Sequence, residues 1–283
     1  MRIDTHTHCE HADKDPQGHW LLPTRSAWFD GVETPEEYIA ALRRNGIERV
    51  AVIDEARIIF PMKELFGDFV IPIPMVDMNR ITPEEIDSLF KQGAAAIKFI
   101  APLKSYGDDA YMPLYDVVNA HHSLAVFHTG YLATGLYDPG CIKDIGAFLN
   151  VENMRPMAID RIVRKFPDLK IQMAHMGNPW WEEAWCMLYS HKNVYADFSG
   201  RPPHRSLDMW ADLFAPDGKL SVKTVSKLCF GSDAQTLWPG MHDTARNYVQ
   251  FYDSFYERLV LPQELRDRID SGNFLDLIRD TVK

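Results

Sequence analysis

The sequence predicts an α/β fold, a single-domain (β/α)8 TIM barrel over residues 1–283, from three observations. Eight short apolar runs rich in Val, Ile, Phe and Ala recur along the chain, and segments with helical starts and stops separate them. The 46% apolar and 12% aromatic side chains supply the nonpolar surface that one large core needs. Five residues able to hold a metal ion, His6, His8, His128, His175 and Asp233, each close one of these runs. A barrel concentrates its functional groups at those C-terminal strand ends.

Taken in order, RIDTH is the first strand, and its extension to His8 makes a His-Thr-His step. Side chains on a strand alternate faces, so positions i and i+2 aim both imidazoles the same way. A long connection follows from Cys9 to about Val32, in which Trp20 and Trp28 are candidates to wall a pocket. TPEEYIAALRRNG is a helix, with a Thr-Pro start, Glu in the first turn and a Gly stop. RVAVID is the second strand. FVIPIPMVD is the third, and because Pro72 and Pro74 each remove a ladder donor it is expected to be short or irregular. TPEEIDSLFKQG repeats the capped-helix signature, AAIKFI is the fourth strand, and MPLYDVVNAHH is a helix leading to LAVFH, the fifth. A second long connection, from Thr129 to about Glu152, carries Tyr131 as a further pocket candidate. MAIDRIVRKF and WWEEAWCMLYSH are helices on either side of KIQMAH, the sixth strand; VYADFS and LCFGSD are the seventh and eighth, and the Tyr- and Phe-rich stretch after Met241 is a last helix.

Composition narrows the function. A formal net charge of -10 and the lack of any Lys/Arg run argue against nucleic acid, although a few local cations in a pocket can still hold an anionic small molecule. No apolar run approaches the ~20 residues that span a bilayer, so no membrane role is expected. The N-terminus has no secretion signal, and Cys9, Cys141, Cys186 and Cys229 show no CxxC spacing, which fits a cytoplasmic protein without disulfides or a zinc knuckle.

Imidazole plus carboxylate suits zinc and similar divalent ions, with manganese, iron and cobalt served by the same donors. Any one histidine is more often a hydrogen-bonded core residue than a ligand; His11, His19, His121, His122, His191, His204 and His242 stay in that class. Lys98 on the fourth strand attracts a substrate carboxylate or pairs with a barrel carboxylate. Arg57 and Arg201, near the ends of the second and seventh strands, are candidate anion-binding groups, with surface ion pairs as the plainer reading.

Several motifs together make the chain resemble the amidohydrolase superfamily, in its amidohydrolase-2 branch of aminocarboxymuconate semialdehyde decarboxylase-like enzymes. They are IDTHTH, GAAAIKFIAP, LAVFHTG, FPDLKIQMAHMGNPWWEEA, NVYADFSG, LCFGSD and SGNFLDLI, colinear over nearly the whole chain. The resemblance implies one divalent metal ion held by His6, His8, His128 and Asp233, with His175 beside the metal's water, an unmodified Lys98, and a homodimer. His175 and Asp233 would move protons. Ala234 and Gln235 replace a frequent aromatic-proline pair, and SGNFLDLI lacks a usual alanine and arginine; both departures bear on the substrate. The expected activity is hydrolysis of a small ester, lactone or amide carrying a carboxylate. Non-oxidative decarboxylation of an aromatic or unsaturated acid is the alternative, followed by hydration of an unsaturated diacid and by a non-catalytic, metal-stabilised binding protein.

Overall fold

Residues 1–8, 35–132, 149–200, 207–235 and 241–281 are described in the computed structural model. Strands β1 (Ile3–His8), β2 (Arg49–Asp54), β3 (Val70–Asp77), β4 (Ala96–Ile100), β5 (Leu124–His128), β6 (Lys170–Ala174), β7 (Val194–Asp197) and β8 (Leu228–Cys229) pair in parallel, each with its sequence neighbour. Their runs are almost continuously apolar because helices cover one face and the barrel interior the other. Val50, Ala51, Val52 and Ile53 of β2 are all fully buried.

The eighth strand position is split. β8 ends at Cys229, and β9 (Ala234–Gln235) resumes the pairing, on β1, with Thr7 opposite Ala234. Between them the backbone still closes the barrel: Thr5 N–H donates to the Phe230 carbonyl (2.9 Å) and Asp233 N–H to the His6 carbonyl (2.7 Å). Gly231 lies in this break, where a Cβ would lie 3.2 Å from both His6 Cβ and Asp197 Cβ. Asn273, nearly fully buried, pins this strand from outside by donating to the carbonyls of Ser226 (2.8 Å) and Leu228 (2.7 Å).

β3 is neither short nor irregular, which corrects the expectation drawn from its prolines. It pairs with β2 without interruption from Val50 opposite Val70 to Asp54 opposite Pro74. A residue's N–H and C=O leave a strand on the same side, and the Pro72 carbonyl faces β4, where it accepts from Ala95 N–H (2.9 Å). Both missing donors therefore fall on the β4 side, where strand pairing starts only at Met75 opposite Lys98.

Helices α1 (Pro35–Arg44), α2 (Ala56–Phe66), α3 (Pro83–Lys91), α4 (Met112–Ala120), α5 (Ile159–Lys165), α6 (Trp181–Ser190), α7 (Leu207–Phe214), α8 (Val222–Val225), α9 (Met241–Arg258), α10 (Gln263–Asp267) and α11 (Asn273–Ile278) flank the strands. α3 has the full capping box: Glu85 N–H donates to Thr82 Oγ1 and Thr82 N–H to Glu85 Oε2. α2 carries Pro61 inside it and buries Ile58, Ile59, Met62 and Phe66. Among the described residues no helix is long and apolar enough to cross a membrane. The two long connections, with Cys9, His11, Trp20, Trp28 and Cys141, lie outside the described residues apart from their ends, where Tyr131 is 61% exposed.

Candidate active site

β1 supplies the first two donors. A register irregularity lies between Asp4 and Thr7, yet His6 and His8 still turn to the same place, with ring centroids 5.2 Å apart. Asp233 meets them from the broken eighth strand. Its backbone is left-handed, φ +60°, a conformation costly for a residue with a Cβ and held here by the bond to the His6 carbonyl. Asp4, beneath the site, fixes the approach by accepting from Ser232 N–H (3.0 Å), from Ser232 Oγ and from His6 N–H (3.3 Å).

Asp233 Oδ1 lies 3.1 Å from His8 Nε2 and 3.6 Å from His6 Nε2, and it is buried without a hydrogen bond of good geometry. Donors about 2.1 Å from a tetrahedral ion lie about 3.4 Å from one another, so these separations fit a divalent cation. Burial first, and the Lys98 charge second, lower the His6 pKa to about 3, leaving a neutral ring with a lone pair to offer. Burial alone would raise the Asp233 pKa, but the His8 contact and the neighbouring imidazoles outweigh it and hold an ionised carboxylate. Two imidazoles and one carboxylate are a donor set that a divalent ion satisfies.

His128 ends β5 as expected, where Tyr106 Oη donates to its carbonyl (2.8 Å). Its ring is not gathered with the other three predicted donors; Nδ1 sits 3.1 Å from His175 Nε2 and Nε2 sits 3.3 Å from the Tyr131 carbonyl. His175 stands one residue beyond β6, at φ +63°. Its ring is 4.9 Å from that of His6 and 4.5 Å from that of His128. Burial lowers the pKa of both His128 and His175, so both rings are neutral near pH 7.

The sequence reading missed the end of β7, which touches two of these histidines. Asp197 is fully buried and accepts from Gln172 Nε2 (2.6 Å), His175 N–H (3.1 Å) and Ser199 N–H (2.9 Å). His6 Nδ1 lies 3.4 Å from its second oxygen. Burial would raise the Asp197 pKa, but these hydrogen bonds and imidazoles keep it below the usual carboxylate range. Ser199 meets the His175 ring with both its carbonyl and its hydroxyl. A polar tail on a strand, DFSG, was the available signal.

Lys98 is not at a strand end; it lies within β4, fully buried, with Nζ 3.3 Å from His6 Nε2. Burial lowers its pKa to about 8, while the charges of Asp197 and Asp233 work against that shift. The structure brings His6, His8, Asp233 and Lys98 together, with His175 and His128 beside them. Arg57 stands apart: it is 73% exposed, pairs with Glu55 (2.7 Å), and lines an outer groove with Asp77, Arg80 and Glu85. Arg201 lies outside the described residues.

A family model described as amidohydrolase matches residues 3–277. No curated protein matches the chain. Among solved structures, an uncharacterized TIM-barrel protein from Bordetella bronchiseptica superposes with a TM-score of 0.67 at 13% identity, covering 99% of each chain. A 5-carboxyvanillate decarboxylase from Sphingomonas paucimobilis gives 0.62 at 13% identity over 98% of each chain. A probable 2-pyrone-4,6-dicarboxylic acid hydrolase from Acinetobacter baumannii gives 0.58 at 15% identity, over 98% of this chain and 99% of that one. At these identities the similarity speaks to the barrel alone.

Proposed function

The chain belongs to the amidohydrolase family, and from that premise we propose that it is a metal-dependent hydrolase of a small ester, lactone or amide carrying a carboxylate. The observation that carries this reading is the convergence of His6 Nε2, His8 Nε2 and Asp233 Oδ1 at separations suited to one cation. His6, His8 and Asp233 would hold the ion, with His128 as the fourth donor that the family resemblance implies. When bound, zinc or a similar divalent ion polarises a carbonyl and makes water acidic enough to ionise near pH 7. His175 is the proton carrier: the Ser199 carbonyl 2.9 Å from Nδ1 keeps a hydrogen there, so a neutral ring takes up its next proton at Nε2. Lys98, mostly protonated at neutral pH, draws the substrate's carboxylate into the barrel.

The same buried ammonium favours a second reading. Lys98 can orient a carboxylate for loss as well as for binding, and the named neighbours include a decarboxylase as well as a probable hydrolase. Product analysis separates the two. Incubation with carboxylated lactones, esters and aromatic acids should give products that have gained water without losing carbon. Released carbon dioxide would overturn hydrolysis in favour of a carboxy-lyase.

A further inference from the structure

The hydroxyl of Ser199 is the meeting point of three buried groups: it donates to Asp197 Oδ1, and it lies 3.0 Å from Nδ1 of His6 and 3.0 Å from Nδ1 of His175. A serine hydroxyl has one proton and two lone pairs, and an ionised carboxylate only accepts. The proton therefore goes to Asp197, and the lone pairs are left to accept from both imidazoles. Each ring must then carry its hydrogen on Nδ1.

The remaining acceptors at the two Nδ1 atoms agree. His175 Nδ1 also lies 2.9 Å from the Ser199 carbonyl, and His6 Nδ1 lies 3.4 Å from Asp197 Oδ2, both of which can only accept. The 3.1 Å contact of His175 Nε2 with His128 Nδ1 then requires His128 to carry its hydrogen on Nδ1 as well, leaving its Nε2 bare 3.3 Å from the Tyr131 carbonyl. Asp197 is itself held by Gln172 Nε2, which is shared with Thr5 Oγ1 at 3.1 Å. Gly200 completes the seat, since a Cβ there would lie 2.4 Å from His175 Nδ1, which leaves no room for a side chain. Asp197 and Ser199 are essentially inaccessible to water, so no solvent competes for these bonds.

We infer that Asp197 and Ser199 are positioning residues that hold His6 and His175 as Nδ1–H tautomers, aiming the His6 Nε2 lone pair at the cation site and leaving His175 Nε2 as a base. A ligating imidazole must present a bare nitrogen, and the group on its other nitrogen decides which one is bare. Removing such a partner typically weakens metal affinity 10- to 100-fold. The consequence for metal rests on the proposed ligand role of His6; the tautomers do not.

The test uses the full-length, metal-free protein with 15N-labelled histidine, the His6 and His175 signals being assigned by their loss in His6→Gln and His175→Gln. Long-range 1H–15N spectra should show both rings protonated on Nδ1, and an Nε2–H form at either ring would overturn the inference. Zinc alone is then titrated into wild type and Ser199→Ala against a chromophoric chelator. The inference requires a 10- to 100-fold weaker Kd in the variant, and an unchanged Kd in a folded Ser199→Ala protein would refute it. A wild type that takes up no zinc would count against the proposed function, while the tautomer spectrum, which needs no metal, still decides the positioning role.

Discussion

Gly200→Ala places one methyl group where the account says none fits. Gly200 has φ +72°, and a Cβ there would lie 2.4 Å from Nδ1 and 2.9 Å from Cε1 of His175, whereas ordinary contact begins near 3.4 Å. The ring must withdraw by about 1 Å, and its 2.9 Å bond to the Ser199 carbonyl is lost. A left-handed alanine costs about 1–2 kcal/mol, and the lost buried hydrogen bond adds about 1 kcal/mol. Together these lower the melting temperature by about 4 to 12 °C for a chain of this size. Turnover should fall on the order of 100-fold, the effect of a 1 Å misplacement of a reacting group. Bound zinc should stay close to the wild-type level, because the three atoms nearest the new Cβ all belong to His175 and none to the proposed ligands His6, His8 and Asp233. The assay is turnover of the substrate found by product analysis, alongside a thermal melt and a crystal structure of the variant. Full turnover with the His175 ring in its original place would refute the reasoning.

His175→Ala should keep its metal and lose turnover by roughly 100- to 10,000-fold, the range for a removed acid–base group; an active variant would take His175 out of the mechanism. In metal-free protein, Lys98 has a folded pKa of about 8 against an ordinary 10.5, so fewer protons are bound in the folded state across that window. The cost of burying its ammonium is thus present below pH 8 and is relieved as pH rises to 10.5. Wild type should gain stability relative to Lys98→Met there, at a slope of up to about 1.4 kcal/mol per pH unit, and a flat or negative difference in denaturant melts would contradict this. Asn273→Ala leaves the Ser226 and Leu228 carbonyls without their shared donor, and should cost about 2–4 kcal/mol by urea denaturation.

The donors of the site were legible because they stand at or near the close of apolar runs: His8 and His128 end strands, His6 lies two residues before the end of β1, and His175 and Asp233 fall just past or between strands. What failed was anything decided across the barrel. The role of Asp197 and Ser199 depends on His6, 191 and 193 residues away in the chain, a distance that no local pattern bridges. The need for a glycine at position 231 is likewise set across the barrel, where a Cβ would lie 3.2 Å from both His6 Cβ and Asp197 Cβ. β3 defied its prolines because both lost donors share a side, a fact of register and not of composition. α2 has no counterpart in the sequence reading; it carries Pro61 inside an apolar stretch, and still buries four residues, Ile58, Ile59, Met62 and Phe66. Arg57 faces outward because Glu55, two residues before it, is the nearer charge.

Metal analysis of the purified protein, beside His6→Ala and His8→Ala, tests the central claim most directly. The account predicts about one divalent ion per chain in the wild type and its loss in both variants. A ratio near two would contradict a mononuclear site with an unmodified Lys98. No metal retained after loading would contradict the metal reading itself, and would leave these histidines and Lys98 to bind an anionic substrate directly.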